Sequence, residues 1–331
     1  MRYEDAGVHI EKKAEALKRA KGALEATYTP EVLKGLGAFG GMFDAEGLKA
    51  MRHPVLVAST DGVGTKVLLA LEAGEVSGLG FDLVNHSVND ILAQGARPLF
   101  FLDYLAASRL SPTLLEALLT SMAEACRSVG IPLLAGETAE MPGVYQEGAW
   151  DLAGTILGVV EKDEILGPER VRPGEILLAL PANGPHTNGY SLIRRLVAGK
   201  DLEAPVPELG ESLKEALLRP HPLYLREVEA LKPLGLKALA HITGGGVYEN
   251  LPRALPRGLG AEIQKGSWPI PPIFPYLQAL GGVSEEEMYR VFNMGLGMVA
   301  ILPEESLEEA LKRVVAYPVG RVVEGEGIRW V

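Results

Sequence analysis

Four times along this chain a strand-like apolar run ends in a glycine-rich turn. The turns are Asp61-Gly62-Val63-Gly64-Thr65-Lys66, Gly136-Glu137-Thr138, Asn183-Gly184-Pro185-His186-Thr187-Asn188-Gly189 and His241-Ile242-Thr243-Gly244-Gly245-Gly246. So many strand ends opening into glycine exceed what folding requires. They point to an α/β chain whose backbone N–H groups gather where strands hand over to helices, the usual place for binding anions. The alternation Val55, Val57, Ser59 predicts a strand, and the apolar period over 67–73 predicts the helix that follows. In that geometry Lys66 neutralises an anion and Asp61 holds the metal that such an anion brings. The spacing is not that of the P-loop GxxxxGK[ST].

The helix predicted over 82–92 is the most informative single element. At about 100° per residue, Asp82, Asn85, His86, Asn89 and Asp90 share an arc of roughly 140°, opposite Val84, Val88, Ile91 and Leu92. A merely solvated face carries Glu, Lys and Arg, which favour helix; this one carries residues that cost helix propensity, as a functional face does. Asp82 and Asp90 stand about 12 Å apart along the axis. That is too far to share one ion directly, so with Asp61 they suggest a polynuclear or water-mediated Mg²⁺ site, or one metal ligand and one substrate ligand.

Elsewhere the pattern predicts an amphipathic helix over 10–24, a strand over 99–105, a helix over 112–129 and strands over 131–135 and 152–160. Glu137 is expected to emerge from the end of a buried strand. Gly35, Gly37 and Gly40 spell GxGxxG, but no strand is read before them and no helix after. The dinucleotide fingerprint is therefore rejected, and Gly35 to Gly41 is read as a mobile cover over a ligand, with an ordinary linker as the alternative. The charged run 161–175, with Pro168 and Pro173, marks a boundary between domains 1–166 and 167–331. The second half opens with a strand over 176–180 and offers donors for a second phosphate around His186, an acid/base candidate.

Composition excludes several classes of function. With 32 basic against 43 acidic residues the net charge is −11, which repels a polyphosphate backbone, so nucleic acid is not an expected partner. No apolar run is long enough for a membrane helix, and the charged N-terminus does not read as a signal peptide. The single cysteine, Cys126, lies in a helical apolar period and reads as packing in a reducing, cytoplasmic protein. Six Asn and four Gln against 39 Gly and 23 Pro form a thermophile-like composition. The asparagines fall in or beside glycine-rich or carboxylate-bearing segments, and Asn183 and Asn293 suit turn chemistry.

Taken together, Ser59 to Lys66, Val88-Asn89-Asp90, Gln94-Gly95, Phe100 to Tyr104, Gly136 to Pro142, Asn188 to Leu192, His241 to Gly246, Met288 to Met298 and the segment 3–8 resemble the phosphoribosylformylglycinamidine cyclo-ligases, also called aminoimidazole ribonucleotide synthetases. The resemblance runs nearly end to end. It implies an α/β fold of α+β-like character, with two domains that are each a mixed β-sheet packed with helices, paired as a homodimer. It also implies ATP-dependent ring closure of formylglycinamidine ribonucleotide, with Mg²⁺ and usually K⁺.

Carried over residue by residue, Asp61, Asp82 and Asp90 become metal and nucleotide-phosphate candidates. Gly35, Gly37, Gly40 and Gly41 form the nucleotide cover, and Gly62, Gly64, Thr65, Lys66 and Asn89 join the ATP side. His186, Thr187, Asn188, Gly189 and Ser191 match the segment over the substrate phosphate. Lys66, Glu137, His186 and His241 are the catalytic or orienting candidates. The chain departs from the family pattern at His9, at Thr187 and at Pro220-His221-Pro222-Leu223-Tyr224, where Pro-Thr-x-Ile-Tyr is more usual; the last departure touches how the second domain borders the substrate. Two other readings stay open at this level: a sister-family small-molecule phosphotransferase of the thiamine-monophosphate kinase or selenophosphate synthetase type, and a nucleotide-binding regulator without turnover.

Overall fold

The computed structural model describes residues 10–109 and 111–331, with side chains from residue 14 onward. The segment 3–8 and His9 lie outside the described residues. The chain divides into two compact units, Met1–Ile91 with Ala96–Asp163, and Glu164–Val331 with Leu92–Gly95. The cut falls just before the predicted 166/167 boundary because the linker belongs to the second unit, where Leu166 N–H donates to Gln94 C=O at 3.2 Å.

In the first unit α1 (Ile10–Glu25) leads into β1 (Val32–Lys34) and β2 (Met42–Phe43), then β3 (Pro54–Gly62), α2 (Lys66–Glu72) and α3 (Leu79–Leu92). β4 (Arg97–Ala107), α4 (Pro112–Val129), β5 (Leu133–Glu140) and β6 (Trp150–Glu161) complete it. The main sheet has the order β3-β6-β4-β5, with β4 and β5 parallel and the other pairs antiparallel. It is therefore mixed, as expected. α4 has the predicted limits because its ends are locally encoded: Ser111 caps Leu114 N–H at 3.4 Å, Pro112 opens the helix, and Gly130 closes it at φ 83°. Its buried side, Leu115, Leu118, Leu119 and Met122, joins Phe101, Leu105, Leu152 and Ile156 of the sheet in the apolar interior.

Two predicted boundaries differ in the structure. A short strand, β1, does precede the glycines of 35–41, but it pairs antiparallel with β2, so the stretch is the turn of a hairpin. The predicted strand 131–135 is instead β5, which continues to Glu140 because β4 runs alongside as far as Ala107 and supplies a ladder for it. Glu137 thus lies within a strand opposite Tyr104, not beyond a strand end.

The second unit contains β7 (Ile176–Pro181), α5 (Tyr190–Leu196), β8 (Pro205–Val206), β9 (Glu211–Ser212), α6 (Leu213–Leu218), α7 (Leu225–Leu231) and β10 (Ala238–His241). It continues through α8 (Gly246–Asn250), β11 (Leu259–Ile263), α9 (Ile273–Gly281), α10 (Glu285–Val291), β12 (Leu296–Leu302), α11 (Leu307–Arg313), β13 (Tyr317–Glu324) and β14 (Gly327–Trp330). Its six-stranded sheet has the order β10-β12-β7-β13-β11-β14 and is again mixed, with β11 and β14 parallel. β12 and the inner part of β7 are buried along their length, which is why both read as continuous apolar runs. The ends of β7 and β10 deliver the His186 and His241 segments.

Candidate active site

In the first unit the polar face of α3 is interior. Asp82 and Asn89 are fully buried, and Asn85 and His86 are 6% and 5% exposed. The helix is therefore enclosed on both its apolar and polar sides, and of its polar face Asp90 alone retains appreciable access, its side chain 28% exposed. This helix brings His86 against the end of β3. His86 Nε2 lies 2.7 Å from Asp61 Oδ2 and 3.8 Å from Asp90 Oδ2, while Ser59 Oγ donates to Asp90 Oδ2 at 3.0 Å. Asp61 Oδ1 also accepts from Gly62 N–H at 2.7 Å.

Burial opposes charge on both members of this contact, and pairing outweighs burial in each. For His86 burial acts downward, but the Asp61 hydrogen bond and the charges of Asp90, Asp61 and Asp82 leave its pKa above the ordinary value. For Asp61 burial acts upward, but the His86 hydrogen bond and charge and the Gly62 N–H hold its carboxyl below the ordinary carboxylate value. The result is a half-exposed oxygen-rich cluster, Asp61, Asp90 and Ser59, built around an imidazole. Sequence reasoning placed His86 on the right face but did not foresee it as the joint between the two carboxylates.

Lys66 and Asp82 stand differently from the expectation that one would face a phosphate and the other a metal. Lys66 Nζ lies 2.9 Å from Asp82 Oδ1 and 2.7 Å from Oδ2, and neither side chain is exposed. Burial pushes the Lys66 ammonium below its ordinary range, against the pull of the Asp82 charge and hydrogen bond. Gly62, Gly64 and Thr65 lie along the chain between Asp61 and Lys66, with Gly64 exposed.

A second feature of the same unit is a cavity of about 220 Å³ beneath the β1–β2 hairpin, bounded by Leu17, Tyr28, Leu36, Gly37, Leu119 and Leu133 to Thr138. Leu36 N–H donates to Tyr28 Oη at 2.5 Å, tying the hairpin turn to the rim. Gly40 is exposed, Gly35 and Gly41 are partly covered, and Phe39 projects into solvent at the tip. Two carboxyl groups, Asp103 and Glu137, line the polar end. Burial, aided by the Glu137 charge and opposed by a backbone hydrogen bond, raises the Asp103 pKa to about 7. A Cβ on Gly136 would stand 1.9 Å from Asp103 Oδ1, so the glycine of this motif is what lets the carboxyl lie flat on β5. The sequence reading quoted Asp103 within a motif without giving it a role.

In the second unit the loop after β7 is tightly held. Asn183 Nδ2 donates to Pro220 C=O and Asn293 Nδ2 to Gly184 C=O, each at 2.9 Å, while Tyr224 Oη donates to Pro181 C=O at 2.9 Å. The two asparagines read as turn residues are thus the pins of the His186 segment. His186 itself takes φ 60°, a left-handed conformation uncommon for a side-chain-bearing residue, and is 1% exposed. Thr187, Asn188 and Gly189 are partly covered, and Ser191 is exposed. Asn250 holds the other loop by donating through Nδ2 to Gly246 C=O at 2.8 Å and Gly244 C=O at 3.0 Å. His241 is 7% exposed and faces His221, whose ring packs in turn on His186.

Comparison with known proteins converges on one family. The model "AIR synthase related protein, N-terminal domain" matches residues 44–160, and "AIR synthase related protein, C-terminal domain" matches residues 172–331. The chain is 44% identical over 334 residues to the phosphoribosylformylglycinamidine cyclo-ligase of Oceanobacillus iheyensis, covering 99% of this chain and 98% of the relative. It is 47% identical to that of Shouchella clausii, covering 98% and 96% of the two chains. Among solved structures, E. coli HypE, a hydrogenase maturation protein, superposes with a TM-score of 0.67 at 20% identity, covering 93% of this chain and 91% of HypE. Thiamine-monophosphate kinase from Stenotrophomonas maltophilia K279a gives a TM-score of 0.67 at 20% identity, covering 95% of each chain. These two likenesses show a shared fold, whereas the match to the curated relatives spans 98–99% of this chain at 44–47% identity. The chain belongs to the phosphoribosylformylglycinamidine cyclo-ligase family.

Proposed function

We propose that this protein closes the imidazole ring of aminoimidazole ribonucleotide from formylglycinamidine ribonucleotide, at the expense of ATP, in purine biosynthesis. The observation that carries the reading is 43–47% identity to eight curated cyclo-ligases over nearly the whole chain. In this reaction the γ-phosphoryl group passes to the formyl amide oxygen and ADP leaves. The neighbouring amidine nitrogen then attacks the former formyl carbon, a C–N bond forms, and the oxygen departs with phosphate. The amide oxygen is a poor leaving group until phosphorylated, and the attack is intramolecular, so positioning supplies much of the catalysis.

The residues of the first unit suit the ATP side. Asp61, Asp90 and Ser59 form a hard oxygen-donor set with access to solvent, which fits Mg²⁺. Bound there, Mg²⁺ neutralises polyphosphate charge. Asp82 has a different part in our reading: its carboxylate balances buried Lys66 and supports the start of α2 from behind. Gly62, Gly64 and Thr65 border the phosphates, whereas Asn89, expected there too, is fully buried; the turn carrying Gly35, Gly37, Gly40 and Gly41 covers the nucleotide over the Asp103 cavity. On the substrate side, His186, Thr187, Asn188, Gly189 and Ser191 receive the ribonucleotide phosphate. Glu137 and His241 orient groups or carry protons.

A homodimer is supported by the outer face of β3, where Leu56 is 63% exposed and Ala58 and Thr60 are also exposed beside Thr155. We place the protein in the cytoplasm, a reading supported by a single cysteine, Cys126, kept as a free buried thiol. Among the described residues no helix is long and apolar enough to cross a membrane. K⁺ enters as the monovalent ion to be tested.

The deciding measurement is ADP release at elevated temperature with Mg²⁺, with and without K⁺. Formylglycinamidine ribonucleotide is compared with thiamine phosphate, selenide and no acceptor. Release with the first alone is expected. Release with another acceptor would favour the sister phosphotransferases.

A further inference from the structure

Three histidines of the second unit, two from separate loops and one from the end of β10, form one buried stack. His186, His221 and His241 are 1%, 0% and 7% exposed. The ring centroids of His186 and His221 are 4.0 Å apart, and those of His221 and His241 are 5.1 Å apart. His221 Nε2 and His241 Nε2 lie within hydrogen-bond distance, at 3.1 Å. His221 Nδ1 lies 2.9 Å from the carbonyl oxygen of Pro222.

These contacts fix where the protons sit. A carbonyl oxygen only accepts, so His221 must carry its proton on Nδ1. In the uncharged ring Nε2 then offers a lone pair. Two N–H groups do not face each other at 3.1 Å, so the proton of that contact belongs to His241 Nε2. In the uncharged ring His241 then carries its lone pair on Nδ1. The chain is directional: His241 donates to His221, and His221 donates to the backbone.

We propose that His221 is a positioning residue: it sets His241 as the Nε2–H tautomer and buttresses the ring of His186, which its left-handed backbone already presents from a pinned loop. A side chain without a ring at position 221 would lose both the stack on His186 and the ring nitrogen that meets His241. The kinetic consequence rests on the reading of His186 and His241 as substrate-side groups, whereas the proton assignment rests on geometry alone.

The test uses the full chain with ¹⁵N-labelled histidine. Ring-nitrogen spectra are recorded above the imidazole range for the protein itself, for His221→Phe, which keeps a ring without nitrogens, and for His221→Gln, which restores an acceptor towards His241. The expected result is Nδ1–H for His221 and Nε2–H for His241 in the unaltered protein, with the His241 preference lost in H221F and recovered in H221Q. With formylglycinamidine ribonucleotide and ATP, kcat should fall by about tenfold or more in H221F with KM for ATP within about twofold, and return to within about threefold in H221Q. A His221 proton on Nε2, or a His241 proton on Nδ1, overturns the proposal. So does an unchanged kcat in H221F when His186→Ala or His241→Ala abolishes turnover. Unchanged turnover in all three variants would overturn both the proposal and the substrate-side reading beneath it.

Discussion

His86 Nε2 lies 2.7 Å from Asp61 Oδ2, joining the middle of α3 to the end of β3 through one charged hydrogen bond. The two residues share an electrostatic fate, since each holds the other in its charged form. Replacing Asp61 with Asn should lower turnover by at least about 10²-fold while leaving the fold intact, and it should also lower the His86 pKa. Because the folded His86 pKa is raised, its stabilising contribution is complete below its unfolded value of about 6.5 and is lost as pH rises through the folded value. Titration of the His86 ring by NMR, with and without the Asp61 substitution, checks the second effect. An unmoved pKa would show that the contact carries no charge coupling.

The Lys66–Asp82 pair should behave as a buried ion pair and not as a surface charge. Removing one partner alone, as in Lys66→Met or Asp82→Leu, should cost about 3–5 kcal/mol because it strands the other charge in the interior. The double substitution should cost clearly less than the sum of the two singles. Denaturant unfolding of the four proteins closes the cycle. Additive losses would mean that the two groups do not depend on one another.

Asp103 makes stability fall with pH. Its carboxyl titrates near 7 in the folded chain and near 4 when unfolded, so its contribution is complete below about 4 and declines up to about pH 7, by no more than about 1.4 kcal/mol per pH unit. Asp103→Asn should flatten that decline. Thermal unfolding at pH 5 and pH 8 should show a smaller difference for the variant than for the unaltered protein.

Gly37 sits at the hairpin turn with φ 90° and open space around its α-carbon. Valine there meets no neighbour but does meet a backbone conformation that β-branched residues avoid. Gly37→Val should therefore raise KM for ATP several-fold through the cover while leaving global stability within about 1 kcal/mol. Gly40→Ala, at ordinary φ and in open space, is the matched control and should leave KM unchanged.

The α/β class, the limits of α4 and three of the four glycine turns were legible in the chain, because each depends on short windows. A period of apolar residues, a serine before a proline and a glycine at a positive φ act within a few residues of themselves. The placement of Asp61 and His241 at strand ends, and of His186 in the loop after β7, was legible for the same reason. Tertiary structure alone decided which of them meet. The polar face of α3 is enclosed instead of open, Lys66 finds Asp82 sixteen positions away and becomes interior, and β5 runs on through Glu137 because β4 lies beside it. His221, read in the chain only as a departure from the family pattern, acquires its place from two partners 35 and 20 positions distant. Periodicity says that a helix has two faces, but only packing between distant segments says what covers each of them.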